Sequence, residues 1–190
     1  DDMVSAIKYA ADNGADVINM SLGGAYSETV KEAIDYAYSK GAIIIAAAGN
    51  EETEEKKYSY PAALDNVIAV AATVKDDTRA SYSNYGDWVD VSAPGGDGDN
   101  GIISTVPTTA LEGHSSGYAG SWQGTSMASP YAAGLAGLVI TKYPSYSQSQ
   151  IKAKITSGAD SIDSLNTGYS GKLGSGRVNL YNSLYSAEDT

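Results

Sequence analysis

Residues 42–48, AIIIAAA, are the stretch that decides the fold, an unbroken apolar run that follows Gly41. A strand with one face in water alternates apolar and polar residues, whereas this run contains no polar side chain. Such runs are typical of strands covered on both faces, as in a parallel sheet between layers of helices. Residues 42–48 therefore predict a buried strand at the centre of an α/β fold.

The segments before this strand repeat a pattern of helix and strand. Residues 2–13 carry apolar side chains on one helical face, and residues 16–22, DVINMSL, are a second apolar strand. Between the two strands, Ser27 is predicted to be the N-cap of an amphipathic helix that ends before Gly41. A helix between two parallel strands forms a right-handed crossover, so we expect a parallel sheet flanked by helices.

The segments after residue 48 continue the pattern with a loop-rich interruption. Residues 67–72 and 88–92 predict further strands, and residues 95–123 are rich in Gly, Asp, Ser and Thr, with short antiparallel pieces such as 102–106. Small apolar residues predict a buried helix over 125–142, followed by shorter helices after Ser147 and near residues 180–184. We expect residues 1–190 to form one globular unit.

Composition restricts the classes of partner. The chain has 190 residues, a net charge of −11 and only 12 Lys and Arg, which disfavours a nucleic-acid partner. It has no run of about 18 apolar residues, so we expect no membrane span. It contains no Cys, and 15 Tyr stand beside no Phe. Sequence drift, engineering and misassignment of Phe as Tyr are all open explanations of that last imbalance.

Ser126 is the first candidate for chemistry, because it follows Gly124 at the start of the predicted helix 125–142. Unpaired N–H groups and the helix dipole at that position favour the negative charge that develops during acyl transfer. The same residues also fit an ordinary N-cap, and Asn50, after Gly49, also fits an ordinary turn.

Five blocks of sequence remove this ambiguity, because each resembles a block of the subtilisin-like serine protease family, the subtilases. They are residues 16–24 (DVINMSLGG), 46–50 (AAAGN), 90–95 (DVSAPG), 124–134 (GTSMASPYAAG) and 176–179 (GRVN). The resemblance covers the C-terminal two-thirds of the family's catalytic domain. It implies a three-layer α/β/α fold, here without its N-terminal strands.

The resemblance assigns roles to individual residues. Ser126 would attack the scissile carbonyl to form an acyl-enzyme, and the Asn50 amide with the Ser126 N–H would stabilise the oxyanion. The walls of the substrate pocket would be Ser21, Leu22, Gly23 and Gly24 on one side and Ala47, Ala48 and Gly49 on the other. Four acidic residues follow that pocket and would either favour basic substrates or form a solvated charge run: Glu51, Glu52, Glu54 and Glu55.

The family's Asp and His motifs, by contrast, have no counterpart in these residues. We expect both groups to come from an N-terminal segment outside this chain, and we expect the chain to be nearly inactive alone. A first residue that is Asp1 rather than Met is more typical of a fragment or processed product. His114, in a loop without an arranged carboxylate, is not expected to replace the missing base, and Tyr131 stands where the family has a structural His.

The resemblance also implies calcium and a location. A weak calcium site would use the carbonyls of Ala62, Leu64 and Val67 with Asp90, since oxygen ligands suit Ca²⁺. The run 97–100, which contains Asp97, Asp99 and Asn100, is a weaker candidate that equally fits a plain turn. By analogy with the family, we expect a secreted protein.

Three hypotheses for function follow. The chain is part of a serine endopeptidase acting on proteins or peptides, a catalytically incomplete relic that binds peptides along the segment 21–24, or an engineered fragment. The presence of both Ser126 and Asn50 favours the endopeptidase, because packing alone does not require the pair.

Overall fold

A four-stranded parallel sheet forms the centre of the computed structural model, which describes residues 2–52, 58–107 and 117–185. Its strands lie in chain order: β1 (Val17–Met20), β2 (Ile43–Ala47), β3 (Val67–Thr73) and β4 (Val91–Pro94). Every residue of β2 and β3 is buried. The predicted central strand and the predicted α/β class are therefore confirmed.

Helices cover both faces of the sheet. The long helix α3 (Thr125–Lys142) packs on one face, and α1 (Asp2–Asp12) and α2 (Glu28–Ser39) pack on the other. Successive residues of β2 serve opposite faces, since Ile43 and Ile45 join the α3 core whereas Ile44 joins the α1–α2 core. This arrangement explains why the AIIIAAA run needs no polar position.

The remaining described elements lie around this centre. Helix α4 (Gln148–Ser157) begins with the capping box of Ser147 and Gln150 and packs on α3, and α5 (Leu180–Leu184) follows near the end of the described residues. Strands β5 (Ile102–Thr105) and β6 (Tyr118–Trp122) form an antiparallel hairpin. No helix of the described ranges has both the length and the apolar character to cross a bilayer.

Two local predictions need correction, and a third is made more precise. The predicted strand 88–92 begins only at Val91, because Val89 closes a turn with its N–H donated to the Gly86 carbonyl. Strand β6 is one of the short antiparallel pieces expected within 95–123, but its position was not specified, since YAGSW contains two residues with weak strand propensity. Ser27 precedes α2 in extended conformation, but its hydroxyl pairs with the Thr29 hydroxyl rather than with the helix backbone.

The two edges of the sheet differ. Outside β4, Ser92 pairs with the segment 176–178: its N–H donates to the Gly176 carbonyl (2.7 Å) and its carbonyl accepts from the Val178 N–H (2.8 Å). Among the described residues, β1 pairs only with β2. Within the described ranges, the sheet is thus covered at the β4 edge and unpaired at the β1 edge.

Candidate active site

The predicted nucleophile lies where the carboxyl ends of β1 and β2 meet the start of α3. Ser126 is the second residue of α3, is partly buried, and follows Gly124, whose φ of 145° suits glycine. Asn50 follows β2 after Gly49. In open α/β sheets this end of the strands is where ligands bind, so the fold brings the two predicted residues to a suitable position.

Hydrogen bonds fix the side-chain amide of Asn50. Its Oδ1 accepts from the Thr125 backbone N–H (2.8 Å) and from the Thr125 hydroxyl (2.9 Å). The Thr125 hydroxyl in turn accepts from the Gly49 N–H (3.1 Å). With Oδ1 held by Thr125, the amide lies beside Gly124: a Cβ added to Gly124 would be 3.4 Å from Nδ2 and 3.7 Å from Oδ1. An amide donor is therefore held beside the residue that precedes Thr125 and Ser126.

Reciprocal hydrogen bonds join Ser126 to the segment after β1. The Ser126 hydroxyl donates to the Ser21 carbonyl (3.3 Å), and the Ser21 hydroxyl donates to the Ser126 carbonyl (2.8 Å). The predicted nucleophile and the predicted substrate segment are thus in direct contact. The Ser126 hydroxyl would therefore have to break this hydrogen bond and donate to a base before the base could activate it.

Two residues of this junction were not identified from the sequence. The Asn19 side chain accepts from the hydroxyl of Ser129 (2.6 Å), which is fully buried, and donates to the Ser21 hydroxyl (2.9 Å). It therefore connects β1 to α3. The available signal was an amide in the middle of an apolar strand and a hydroxyl on the buried face of a helix, since a buried hydroxyl needs a partner.

Tyr82 is a further residue that the sequence did not single out. Its hydroxyl donates to the Gly96 carbonyl (2.7 Å) and accepts from the Gly124 N–H (3.0 Å). Burial raises the pKa of Tyr82, because the charged phenolate would lose solvation. The hydroxyl thus joins the loop after β4 to Gly124, the residue just before α3.

The predicted pocket residues lie around this junction in different ways. A cavity of about 330 Å³ is lined by Gly23 and Gly24 together with Ala25, Glu51, Tyr58, Ser59 and Asn84. Leu22 lines a neighbouring cavity of about 190 Å³, whose walls include Tyr26 and Tyr60. Ala47 and Ala48 are buried behind the site. At Gly49 an added Cβ would be 2.5 Å from the Glu51 carboxylate and 2.4 Å from the Asn84 amide, so only glycine fits.

Glu51 is held in place at this cavity. Its carboxylate accepts from the Asn84 amide (2.6 Å), and the Asn84 oxygen accepts from the Glu51 N–H (3.1 Å). Asn84 is buried and also donates to the Ala48 carbonyl (3.0 Å). Glu54, Glu55 and His114, which were also considered from the sequence, lie outside the described residues.

The four atoms predicted to bind calcium do not fit the ion in their present arrangement. The ammonium of Lys152 lies 2.7 Å from Asp90 Oδ1 and 3.3 Å from the Val67 carbonyl oxygen. Asp90 Oδ2 accepts from the Ala69 N–H (2.9 Å), and the carbonyl of Leu64 accepts from the Val67 N–H (3.1 Å). A calcium ion would therefore compete with Lys152 for Asp90 and the Val67 carbonyl, two of the four predicted ligands. The other two are the carbonyls of Ala62 and Leu64.

The second calcium candidate has the geometry of a self-contained turn. Asp97 Oδ1 accepts from the backbone N–H groups of Asn100 (2.7 Å) and Asp99 (3.0 Å), and these bonds lower the pKa of Asp97. Within the described ranges no three His, Asp or Glu side chains gather where they could hold a metal.

Comparison with known proteins agrees with this geometry. A family model described as the subtilase family matches residues 1–176. Subtilisin DY of Bacillus licheniformis is 42% identical over 181 residues, a match that covers 94% of this chain and 60% of the relative. Thermitase of Thermoactinomyces vulgaris is 42% identical over 183 residues, covering 96% of this chain and 58% of the relative. The chain thus spans about three-fifths of the length of these curated relatives.

A solved structure shows the same fold. A protease from Pseudoalteromonas arctica superimposes with a TM-score of 0.82 at 32% identity, over 95% of this chain and 57% of that one. The family match covers most of the chain, and the parallel sheet flanked by helices is the architecture that the resemblance implied. The chain belongs to the subtilase family.

Proposed function

We propose that this chain is part of a serine endopeptidase that cleaves peptide bonds through an acyl-enzyme on Ser126. The observation that carries the proposal is the fixed amide of Asn50, which Thr125 orients so that its N–H donors lie beside the start of α3. A donor held in advance beside a helix N-terminus is suited to a negative charge that develops only during the reaction. Packing alone does not require that orientation next to a serine.

The proposed reaction begins at the Ser126 hydroxyl. Its oxygen bonds to the scissile carbonyl carbon while a histidine base takes its proton, and the Asn50 amide and the Ser126 N–H stabilise the oxyanion. The carbon–nitrogen bond then breaks, and the departing amine takes the proton from the histidine. Water attacks the resulting ester, which releases the second product and restores Ser126.

The histidine and its orienting aspartate would come from a segment outside these 190 residues. The open edge of β1 supports this proposal, because an unpaired strand edge is a template for a further strand. The Ile43 N–H donates to the Asp16 carbonyl (2.9 Å), so Asp16 and Ile18 face β2, whereas the backbone groups of Val17 and Asn19 face the open edge. A strand added there would end beside Ser126.

The substrate would be an extended protein or peptide chain lying along the segment 21–24. At the cavity beside Gly23 and Gly24, the Glu51 carboxylate held by Asn84 would favour a basic side chain. Cleavage of peptides that differ only at the residue before the cut tests this preference. Equal cleavage after Leu, Tyr, Lys and Arg would contradict it, and Glu51→Gln is the matched variant that should abolish any preference for Lys or Arg. Secretion, by analogy with the family, is part of the same proposal.

The decisive experiment is labelling of the purified protein with a fluorophosphonate, followed by intact-mass measurement and peptide mapping. We expect one adduct on Ser126, together with a segment that carries the Asp and His, either on a co-purifying polypeptide or on a longer chain. Ser126→Ala should remove the adduct. Asn50→Leu should retain the fold but slow peptide cleavage about 10- to 100-fold, the cost of one hydrogen bond to a charged group. A complete protein that never labels would point to a peptide-binding relic or an engineered fragment.

A further inference from the structure

Lys152 reaches from α4 to two separate parts of the sheet. Its ammonium contacts the carboxylate of Asp90, just before β4, and the carbonyl oxygen of Val67, at the start of β3. The Val67 residue is almost completely buried, and the side chain of Asp90 is 21% exposed. Three elements that are distant in sequence therefore meet at one positive charge.

The acceptors around this charge are arranged by the backbone rather than by Lys152 alone. Asp90 is fixed to β3 by two hydrogen bonds, from the Ala69 N–H to its carboxylate and from its own N–H to the Ala69 carbonyl (3.0 Å). Its own carbonyl accepts from the Ser175 N–H (2.9 Å). The carboxylate thus has one oxygen satisfied by the sheet and the other directed at a cation.

An ammonium and a calcium ion require different numbers of oxygen ligands at different distances. Calcium needs six to eight oxygens at about 2.3–2.6 Å, whereas an ammonium is satisfied by up to three acceptors near hydrogen-bond distance. The Lys152 distances of 2.7 and 3.3 Å are those of an ammonium. With Lys152 present, a divalent ion would meet a fixed positive charge at the oxygens it needs most.

We propose that the ammonium of Lys152 is a built-in cation that fills this position, so that the segment around Val67 and Asp90 is held together without calcium. Removal of the ammonium would then uncover a calcium site in its place. The proposal concerns stability and does not depend on catalysis, so its failure is distinguishable from that of the proposed protease function.

The test is Lys152→Met, which keeps the length of the side chain and removes its charge. In EDTA we expect the melting temperature to fall by about 2–4 °C or less, since the Lys152 side chain is 36% exposed and solvent weakens the ion pair. Added CaCl₂ should then stabilise Lys152→Met more than it stabilises the wild type. Adding Asp90→Asn to Lys152→Met should abolish that extra gain.

Two matched variants separate charge from packing. Lys154→Met removes a lysine of the same helix whose ammonium lies over the Tyr143 ring, 5.0 Å from its centre, and it should not alter the response to calcium. Lys152→Arg retains a positive charge and should keep the wild-type response. An unchanged calcium response in Lys152→Met would overturn the proposal.

Terbium luminescence gives a second measurement that does not need Lys152→Met to fold. Because calcium and terbium are expected to be excluded from this position in the wild type, wild type and Asp90→Asn should bind the same number of Tb³⁺ ions. Loss of one bound Tb³⁺ in Asp90→Asn would show that a metal binds beside Lys152 and would likewise overturn the proposal.

Discussion

The two edges of the parallel sheet are built differently. Beside β4, the segment around Arg177 supplies backbone hydrogen bonds to Ser92 and Asp160, and the Arg177 guanidinium pairs with the carboxylates of Asp77 and Asp160. On the outer side of β1, no strand is paired among the described residues, although Val17 and Ile18 are partly buried and Asn19 is hydrogen-bonded to Ser129 of α3.

The difference between the edges indicates where the proposed enzyme would bind the segment that carries its Asp and His. The β4 edge is held by residues of this chain, whereas the β1 edge, which leads to Ser21 and Ser126, is the one open to a further strand. The Ser126 hydroxyl meanwhile donates to the Ser21 carbonyl rather than to a base. In the proposed enzyme, one added segment would pair with β1 and bring a base to the Ser126 hydroxyl, because the two lie close together.

The largest expected effect comes from a substitution that prevents a further strand from pairing with the outer side of β1. Val17→Pro removes an N–H that faces away from β2, so strand addition should fail while the pairing of β1 with β2 remains. We expect peptide cleavage and Ser126 labelling to be lost in the complete protein. Val17→Ala, which keeps the N–H, should retain most of both. Normal cleavage by a folded Val17→Pro protein would show that the partner segment does not pair at β1.

At the covered edge, Gly176→Ala should cause the next largest effect. A Cβ at this residue would lie 2.0 Å from the Asp160 carbonyl oxygen, and its φ of 123° disfavours any other residue. We expect a loss of about 2–3 kcal/mol in the free energy of unfolding, measured by urea denaturation. Gly171→Ala is the control, because its φ of 70° is also positive but no atom lies within 4 Å of the added Cβ. Equal losses in both variants would contradict a special role for the covered edge.

On the β1 side of the junction, Asn19→Ala should destabilise the protein by about 1–2 kcal/mol. The change leaves the fully buried Ser129 hydroxyl without its acceptor and frees the Ser21 hydroxyl from its donor. Thermal unfolding measures the loss. Asn19→Ala combined with Ser129→Ala should recover part of it, because no buried hydroxyl is then unpaired; additive losses would argue against this contact.

On the β4 side, Tyr82→Phe should have the smallest effect, about 1 kcal/mol, because Gly124 N–H keeps a second acceptor in the Gly95 carbonyl (2.9 Å). Its pH dependence is more specific. The folded pKa of Tyr82 lies above its usual 10.0, so this contribution to stability is complete below pH 10.0 and is lost as pH rises through the folded pKa.

Melting temperatures measured across alkaline pH separate this effect from that of the other tyrosines. The wild type should lose stability more steeply than Tyr82→Phe above pH 10.0, and Tyr9→Phe, at an exposed helix position, should behave as the wild type. Parallel curves for wild type and Tyr82→Phe would mean that burial does not hold Tyr82 in its neutral form.

Local sequence patterns predicted most of the elements of the fold. The apolar run 42–48, the small-residue helix 125–142 and the cap at Ser147 each predicted an element that the structure contains, because each depends on neighbours within one turn or one strand. Antiparallel pieces were expected within 95–123, but the position of β6 was not predicted, since its residues become a strand only through pairing with β5. The late start of β4 likewise depends on a turn and on pairing with β3.

The sequence by itself determined the parallel sheet flanked by helices and singled out Ser126 and Asn50, because their motifs lie within short segments. Only the tertiary structure decided how Asn50 is oriented, which residues join β1 to α3, and that Lys152 lies against Asp90. Each of these is a contact between segments far apart in the chain, and no local pattern specifies which distant side chain will satisfy a buried donor or acceptor.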